Sequence, residues 1–218
     1  MISTLRKVFL FSNIIILFVA EIGCGDKTEP DLKNEIAFAL PADYVQQLIQ
    51  HRKTQDDLFR GSQSPLEDSM KKKFAGISWF EPDTIYRIIA KIEKVENGPV
   101  FKMEVSGSIA DEYKTIAKLN FTLNGTEQHL EVYENQELKN KGVEYYFVPF
   151  SDQTNGKETY GGGRYLDLKS IAGEKLILDF NYAYQPYCAY NHNYSCPIPP
   201  AQNKLNIEVR AGEKMNNE

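Results

Sequence analysis

Five polar side chains and a cysteine pair in the last third of the chain have types and spacings suited to chemistry. In an extended segment alternate residues share a face, so Glu158, Tyr160, Gly162, Arg164, Leu166 and Leu168 point one way. Lys175 to Tyr184, read as a strand, places Ile177, Asp179, Asn181 and Ala183 on one side and Leu176, Leu178, Phe180, Tyr182 and Tyr184 on the other. A symmetric hairpin loop over 169–174 then pairs Leu166 with Ile177, Arg164 with Asp179 and Gly162 with Asn181. On that register Arg164 is a planar fork for a carboxylate, phosphate or sugar hydroxyl, and Asp179 holds it in place. Glu158 and Tyr160 complete the face as a general base and acid. The competing reading is a cross-strand ion pair with a structural duty alone.

Gly161, Gly162 and Gly163 leave a bare strip of backbone, which suits a bulge, a bend or the close approach of a ligand. They are not a phosphate loop, because no Gly-Lys-Ser/Thr follows. No cofactor is expected. Cys188 and Cys196 enclose a short loop, and in an exported protein a disulfide closing it is the leading reading. The alternative is a metal site of Cys188, His192 and Cys196, for which Pro186 and Pro197 argue against the required helix and no fourth ligand is evident. Seven of the 13 tyrosines lie between Tyr160 and Tyr194, either as packing or as a platform for sugars or flat ligands.

The elements that must carry these residues are α+β in kind: N-terminal helices packed on a bent, mainly antiparallel sheet or partly closed β-barrel. Val45, Leu48, Ile49 and Arg52, continuing through Leu58 and Phe59, have helical spacing after Pro41. Ser64-Pro65-Leu66-Glu67 has the form of a helix start, with Leu66, Met70 and Phe74 following at intervals of four and Gly76 at the end. From Trp79 the apolar period becomes two: Tyr86, Ile88, Ala90 and Ile92 alternate, and Phe101 and Met103 repeat the pattern. Asn124-Gly125 is a two-residue hairpin turn. It pairs Leu123 with Thr126, Phe121 with Gln128, Leu119 with Leu130 and Ala117 with Val132, leaving Lys118, Asn120, Thr122, Glu127, His129 and Glu131 on a wet face. His51 and His129 read as surface histidines.

The start of the chain carries an address. Arg6 and Lys7 precede an apolar run from Val8 to Ala20, too short to span a membrane and placed as a secretion signal. Glu21-Ile22-Gly23-Cys24 looks like a bacterial lipobox, with Glu21 where an aliphatic residue is usual, so Cys24 is the expected lipidation site. The expected organisation is a signal over 1–23, a lipidated Cys24 and tether over 24–40, and one domain over 41–214. Among 218 residues, 25 Lys and Arg against 30 Asp and Glu give a net charge of −5, which leaves no electrostatic footprint for nucleic acid.

Thr154-Asn155-Gly156-Lys157-Glu158-Thr159-Tyr160-Gly161-Gly162-Gly163-Arg164-Tyr165-Leu166, Asp179-Phe180-Asn181-Tyr182-Ala183-Tyr184, Pro186, Cys188-Ala189-Tyr190, Cys196-Pro197 with Pro199-Pro200, Asn203-Lys204-Leu205 and Arg210-Ala211-Gly212-Glu213 resemble the signature blocks of the DUF1684 family. Ser64-Pro65-Leu66 with Phe74, Gly76 and Trp79-Phe80 is similar to its N-terminal block. The resemblance implies a shared fold and site without an activity. The expectation is an envelope protein, held to the membrane by lipid, with a pocket around Glu158, Tyr160, Arg164, Asp179 and Asn181 for a small-molecule or carbohydrate ligand. The alternatives are a hydrolase using Glu158 and Asp179 with Arg164, or a purely structural lipoprotein.

Overall fold

Asn124 and Gly125 both adopt positive φ, 52° and 73°, the twist that a two-residue turn needs to join right-twisted strands. In the computed structural model, which describes residues 38–107 and 111–215, that turn joins β3 (Glu112–Leu123) to β4 (Thr126–Asn135). The observed register has Leu123 opposite Thr126, Leu119 opposite Leu130 and Ala117 opposite Val132, as turn chemistry and alternation dictate. Ala117, Leu119, Phe121 and Leu123 face the core, and His129 lies on the wet side. The signal segment, Cys24 and the tether as far as residue 37 lie outside the described residues.

Five more strands extend this hairpin: β1 (Arg87–Lys94), β2 (Val100–Lys102), β5 (Tyr146–Phe150), β6 (Arg164–Leu168) and β7 (Lys175–Asp179). The order is β6-β5-β4-β3-β1-β7, every pair is antiparallel, and β2 joins β3 off this path. The sheet curls strongly into a half-barrel whose inner face holds Ile88, Leu119, Leu130, Val148, Leu166, Leu178 and Phe180 in one apolar cluster. Thus β6 and β7 are the two edges of the sheet, and their side chains meet in one core.

This arrangement corrects the expected hairpin. No β6–β7 ladder forms: Arg164 stands opposite Phe150 on β5, and Asp179 stands opposite Arg87 on β1. Pairing across the 169–174 loop satisfies only local geometry, whereas β6 pairs along its whole length with β5 and β7 along its whole length with β1.

Of the two expected helices, the first is α1 (Tyr44–Arg60) and the second shrinks to a single turn, α2 (Asp68–Lys71). Ser64 Oγ accepts the Leu66 N–H in a local turn, and the Glu67 carboxylate accepts the His192 N–H instead of closing a capping box. A third short helix, α3 (Gln136–Asn140), follows β4. The buried stripe of α1 is Tyr44, Leu48 and Phe59; Val45, Ile49 and Leu58, expected in the apolar stripe, are exposed.

The chain after β7 is mostly irregular, and buried polar side chains take the place of ladders in tying it down. Asn203 accepts the Glu131 N–H at 2.7 Å and donates to the carbonyls of Glu131 and Pro149. Cys188 and Cys196 bring their sulfurs to 2.10 Å, a disulfide distance, as the leading sequence reading holds.

Candidate functional site

Curling brings the free edges β6 and β7 toward each other without joining them, and α1 lies along the opening. The result is a cleft of about 760 Å³ lined by residues 166–170, by Leu176, Ile177 and Asp179, by Tyr182, Tyr184, Gln185 and Tyr187, and by Glu213. From α1, one helical face contributes Tyr44, Gln47, His51, Gln55 and Phe59, and Arg87 enters from β1. An incompletely closed barrel leaves such a seam between its edge strands, and clefts of this size suit small ligands.

Three carboxyl groups line the cleft, each held by tyrosine. Tyr44 donates to both oxygens of Asp179, at 2.9 and 3.1 Å. Asp167 accepts the hydroxyls of Tyr145 and Tyr184, each at 2.9 Å to its nearer oxygen. Glu213 Oε2 accepts the Tyr190 hydroxyl at 2.9 Å and the Gln185 N–H at 2.8 Å. Burial raises the Asp167 pKa against the opposing pull of the two tyrosine hydroxyls. Burial also pushes Glu213 up to about 7, partly offset by its two hydrogen bonds and by the charge of Arg164. Tyr44 is raised by burial and by its neighbour Asp179.

His51, expected on the surface, is half-buried, with its ring edge-on to Tyr182 at 4.9 Å and to Trp79 at 5.9 Å. Burial and then the charge of Arg52 lower its pKa, which favours the neutral imidazole.

The five side chains expected to converge are divided by the fold. Only Asp179 lines the cleft. Asn181 is fully buried behind it, donating Nδ2–H to Asp179 Oδ1 at 3.0 Å and clamping the Asp83 main chain through its other contacts. Arg164 is also fully buried, with Nη2 on Asp152 Oδ2 at 2.9 Å and on the Val209 carbonyl at 2.6 Å. Its Nη1 donates to the carbonyls of Ala211 and Glu213. The partner of Arg164 is therefore Asp152, and both Nη groups of the fork are occupied by the chain itself, while the buried Nε has no partner among the described residues. Glu158 pairs with Arg210 at 2.9 Å on a half-exposed surface, and the Tyr160 N–H donates to Gln185 Oε1. These residues build the wall behind the cleft: Arg164 holds the main chain of Glu213, and Tyr160 holds the side chain of Gln185.

Gly163 explains part of the triple glycine. Its φ is +89°, and a Cβ there would come within 2.6 Å of Pro199 and 2.7 Å of the Phe150 carbonyl. The close approach is that of the chain's own Pro197–Pro200 segment. With the Cys188 and Cys196 sulfurs on each other, neither thiolate is open to a metal, and the exposed His192 places its main-chain N–H on Glu67. Among the described residues no cluster of three or more His, Cys, Asp or Glu is arranged to hold a metal ion.

Glu213 appears only as the last residue of the Arg210-Ala211-Gly212-Glu213 block, and Tyr44, His51, Arg87, Asp167 and Gln185 carry no local motif. The spacing 44, 47, 51, 55 on one helix was their one visible trace, and the apolar residues beside it masked it.

A curled antiparallel half-barrel with a helix across its open seam defines the structural class. The chain belongs to the family described as protein of unknown function (DUF1684), whose model matches residues 72–214. It is 33% identical to an uncharacterized protein of Haloarcula marismortui known from a solution NMR structure, which it resembles with a TM-score of 0.63 over 85% of this chain and 98% of that one. No curated protein matches. The matched segment holds Asp167, Asp179, Tyr182, Tyr184, Gln185 and Glu213, whereas Tyr44 and His51 lie before it.

Proposed function

We propose that this protein is a binding module, tethered to the bacterial envelope by lipid on Cys24, that holds a small organic ligand in the cleft between β6 and β7. The observation that carries the reading is the cleft itself: about 760 Å³, with aromatic walls and a few polar groups already oriented by hydrogen bonds to their neighbours. Such groups bind with little ordering cost, because their rotamers are set before the ligand arrives. A screen of small polar compounds by thermal denaturation tests it. A true ligand raises the melting temperature, and Asp179→Asn with Tyr44→Phe removes the increase while the unliganded protein remains folded. An increase that survives both changes places the ligand elsewhere. Lipid on Cys24 is checked by mass spectrometry of the membrane fraction; a soluble chain cleaved elsewhere refutes it.

A hydrolytic reading has one observation in its favour. Glu213 titrates near 7 beside the Tyr190 hydroxyl and faces the cleft, the setting of a general acid or base. It replaces the arrangement of Glu158 and Asp179 with Arg164, which have no common surface. Turnover of an ester, phosphate or glycoside that is lost in Glu213→Gln would favour it over simple binding.

A further inference from the structure

The charges lining the cleft divide it into two halves. In one, Asp179 stands directly opposite Arg87 across the β1–β7 pair, so charge of both signs is present. The other half contains Asp167 and Glu213, and among the described residues neither enters an ion pair. Every side-chain donor they receive is a tyrosine hydroxyl, which satisfies a lone pair and brings no charge. Glu213 is only 2% exposed, and both of its hydrogen bonds end on Oε2, so Oε1 of this buried, cleft-lining carboxyl is unmatched among the described residues.

The other groups around Glu213 do not fill that role. Arg164 approaches from behind, but both of its Nη groups end on main-chain carbonyls and Asp152, and none of its nitrogens forms a hydrogen bond or ion pair with the Glu213 carboxyl. Asp56 adds negative charge, and Tyr187 and Tyr190 are neutral. Lys169 lies on the exposed rim beyond β6. Tyr184 and Gln185, adjacent in sequence, connect the two carboxyls, and Phe59 and Tyr187 stand on the same cleft with their rings 6.2 Å apart. Carboxyls without cations, beside aromatic surfaces, match a ligand that brings a positive charge on an apolar body.

We propose that this half of the cleft takes an organic ammonium ligand, whose N–H groups reach Glu213 and Asp167 while its apolar body lies against Phe59 and Tyr187. The inference rests on the reading of the cleft as a binding site and names its ligand class. An ammonium favours the ionised carboxyl, and Glu213 titrates near 7. Apparent affinity therefore rises with the ionised fraction, by about tenfold between about pH 6 and about pH 8.

Three probes with the same flat body separate the outcomes: benzylamine, benzyl alcohol and benzoate, titrated into the full chain by calorimetry. The expected result is benzylammonium bound about tenfold or more tightly than the alcohol, with benzoate weakest. Glu213→Gln flattens the pH dependence and removes the preference for charge. Asp167→Asn, which keeps an oxygen to accept a tyrosine hydroxyl, weakens the amine more than the alcohol. If the alcohol or benzoate binds as tightly as the amine, the cleft remains a binding site and the ammonium assignment falls. If none of the three binds, both fall.

Discussion

Arg164 donates to Asp152 at 2.9 Å with both side chains fully withdrawn from solvent. Around this pair the guanidinium also gathers the carbonyls of Val209, Ala211 and Glu213 and lies over the Phe150 ring at 5.3 Å. One side chain thus fastens the irregular C-terminal segment to the edge of the sheet. A buried charge pair tolerates loss of one member poorly, because the survivor is left in a medium that cannot solvate it.

Arg164→Met should therefore cost about 3–5 kcal/mol of stability and be read as a large drop in the denaturant midpoint. Arg164→Lys should recover little, since a point charge cannot serve the four acceptors that a planar fork meets. A stable, well-folded Arg164→Met variant would show that the fork is not structural.

Asn203 supports the same segment. Asn203→Ala strands the Glu131 N–H and the carbonyls of Glu131 and Pro149, and should cost on the order of 3 kcal/mol in equilibrium unfolding. No measurable loss would mean that these groups find other partners.

How much of this was legible depends on the range of the interaction. The β3–β4 register could be read because Asn124-Gly125 sets it within two residues and alternation extends it outward. The curled antiparallel sheet also followed from period-two stretches. Arg164 and Asp179 were misassigned to each other because the 169–174 loop suggests a hairpin, whereas sheet order puts Asp179 opposite Arg87 with Tyr44 on its carboxylate, and Arg164 meets Asp152 just beyond β5. The odd composition between Glu158 and Asn203 correctly marked a dense polar region. It did not reveal that this polarity faces inward to hold the chain, nor that the cleft would recruit α1, some 120 residues earlier in sequence.

The disulfide closes a loop of separation 8 that carries Tyr190, the residue whose hydroxyl meets Glu213. The unfolded, unreduced chain from Gly25 onward should show no free thiol. Replacing both Cys188 and Cys196 by Ser should lower stability by about 2.5 kcal/mol through the freed loop entropy. Two titratable thiols in the untreated protein would contradict the pairing.

Glu213 gives the fold a specific pH dependence. Its folded-state pKa, about 7, lies above the ordinary glutamate value of 4.5, so the folded chain keeps a proton that the unfolded chain has released. The associated stability is fully present below 4.5 and is lost as pH rises to about 7, after which it changes no further. Urea unfolding across this range should show that decline in the wild type and a flatter profile in Glu213→Gln; identical profiles would remove Glu213 as the cause.

The claim on which the account rests is that ligands enter the seam between β6 and β7, while the Glu158–Arg164 stretch serves as its wall. Protein-observed NMR with a small fragment library tests this most directly. The predicted result is that the shifts of bound fragments concentrate on His51, Asp167, Asp179, Tyr182, Tyr184 and Glu213. Shifts concentrated instead on Glu158 and Arg210, or scattered over the surface, would contradict it.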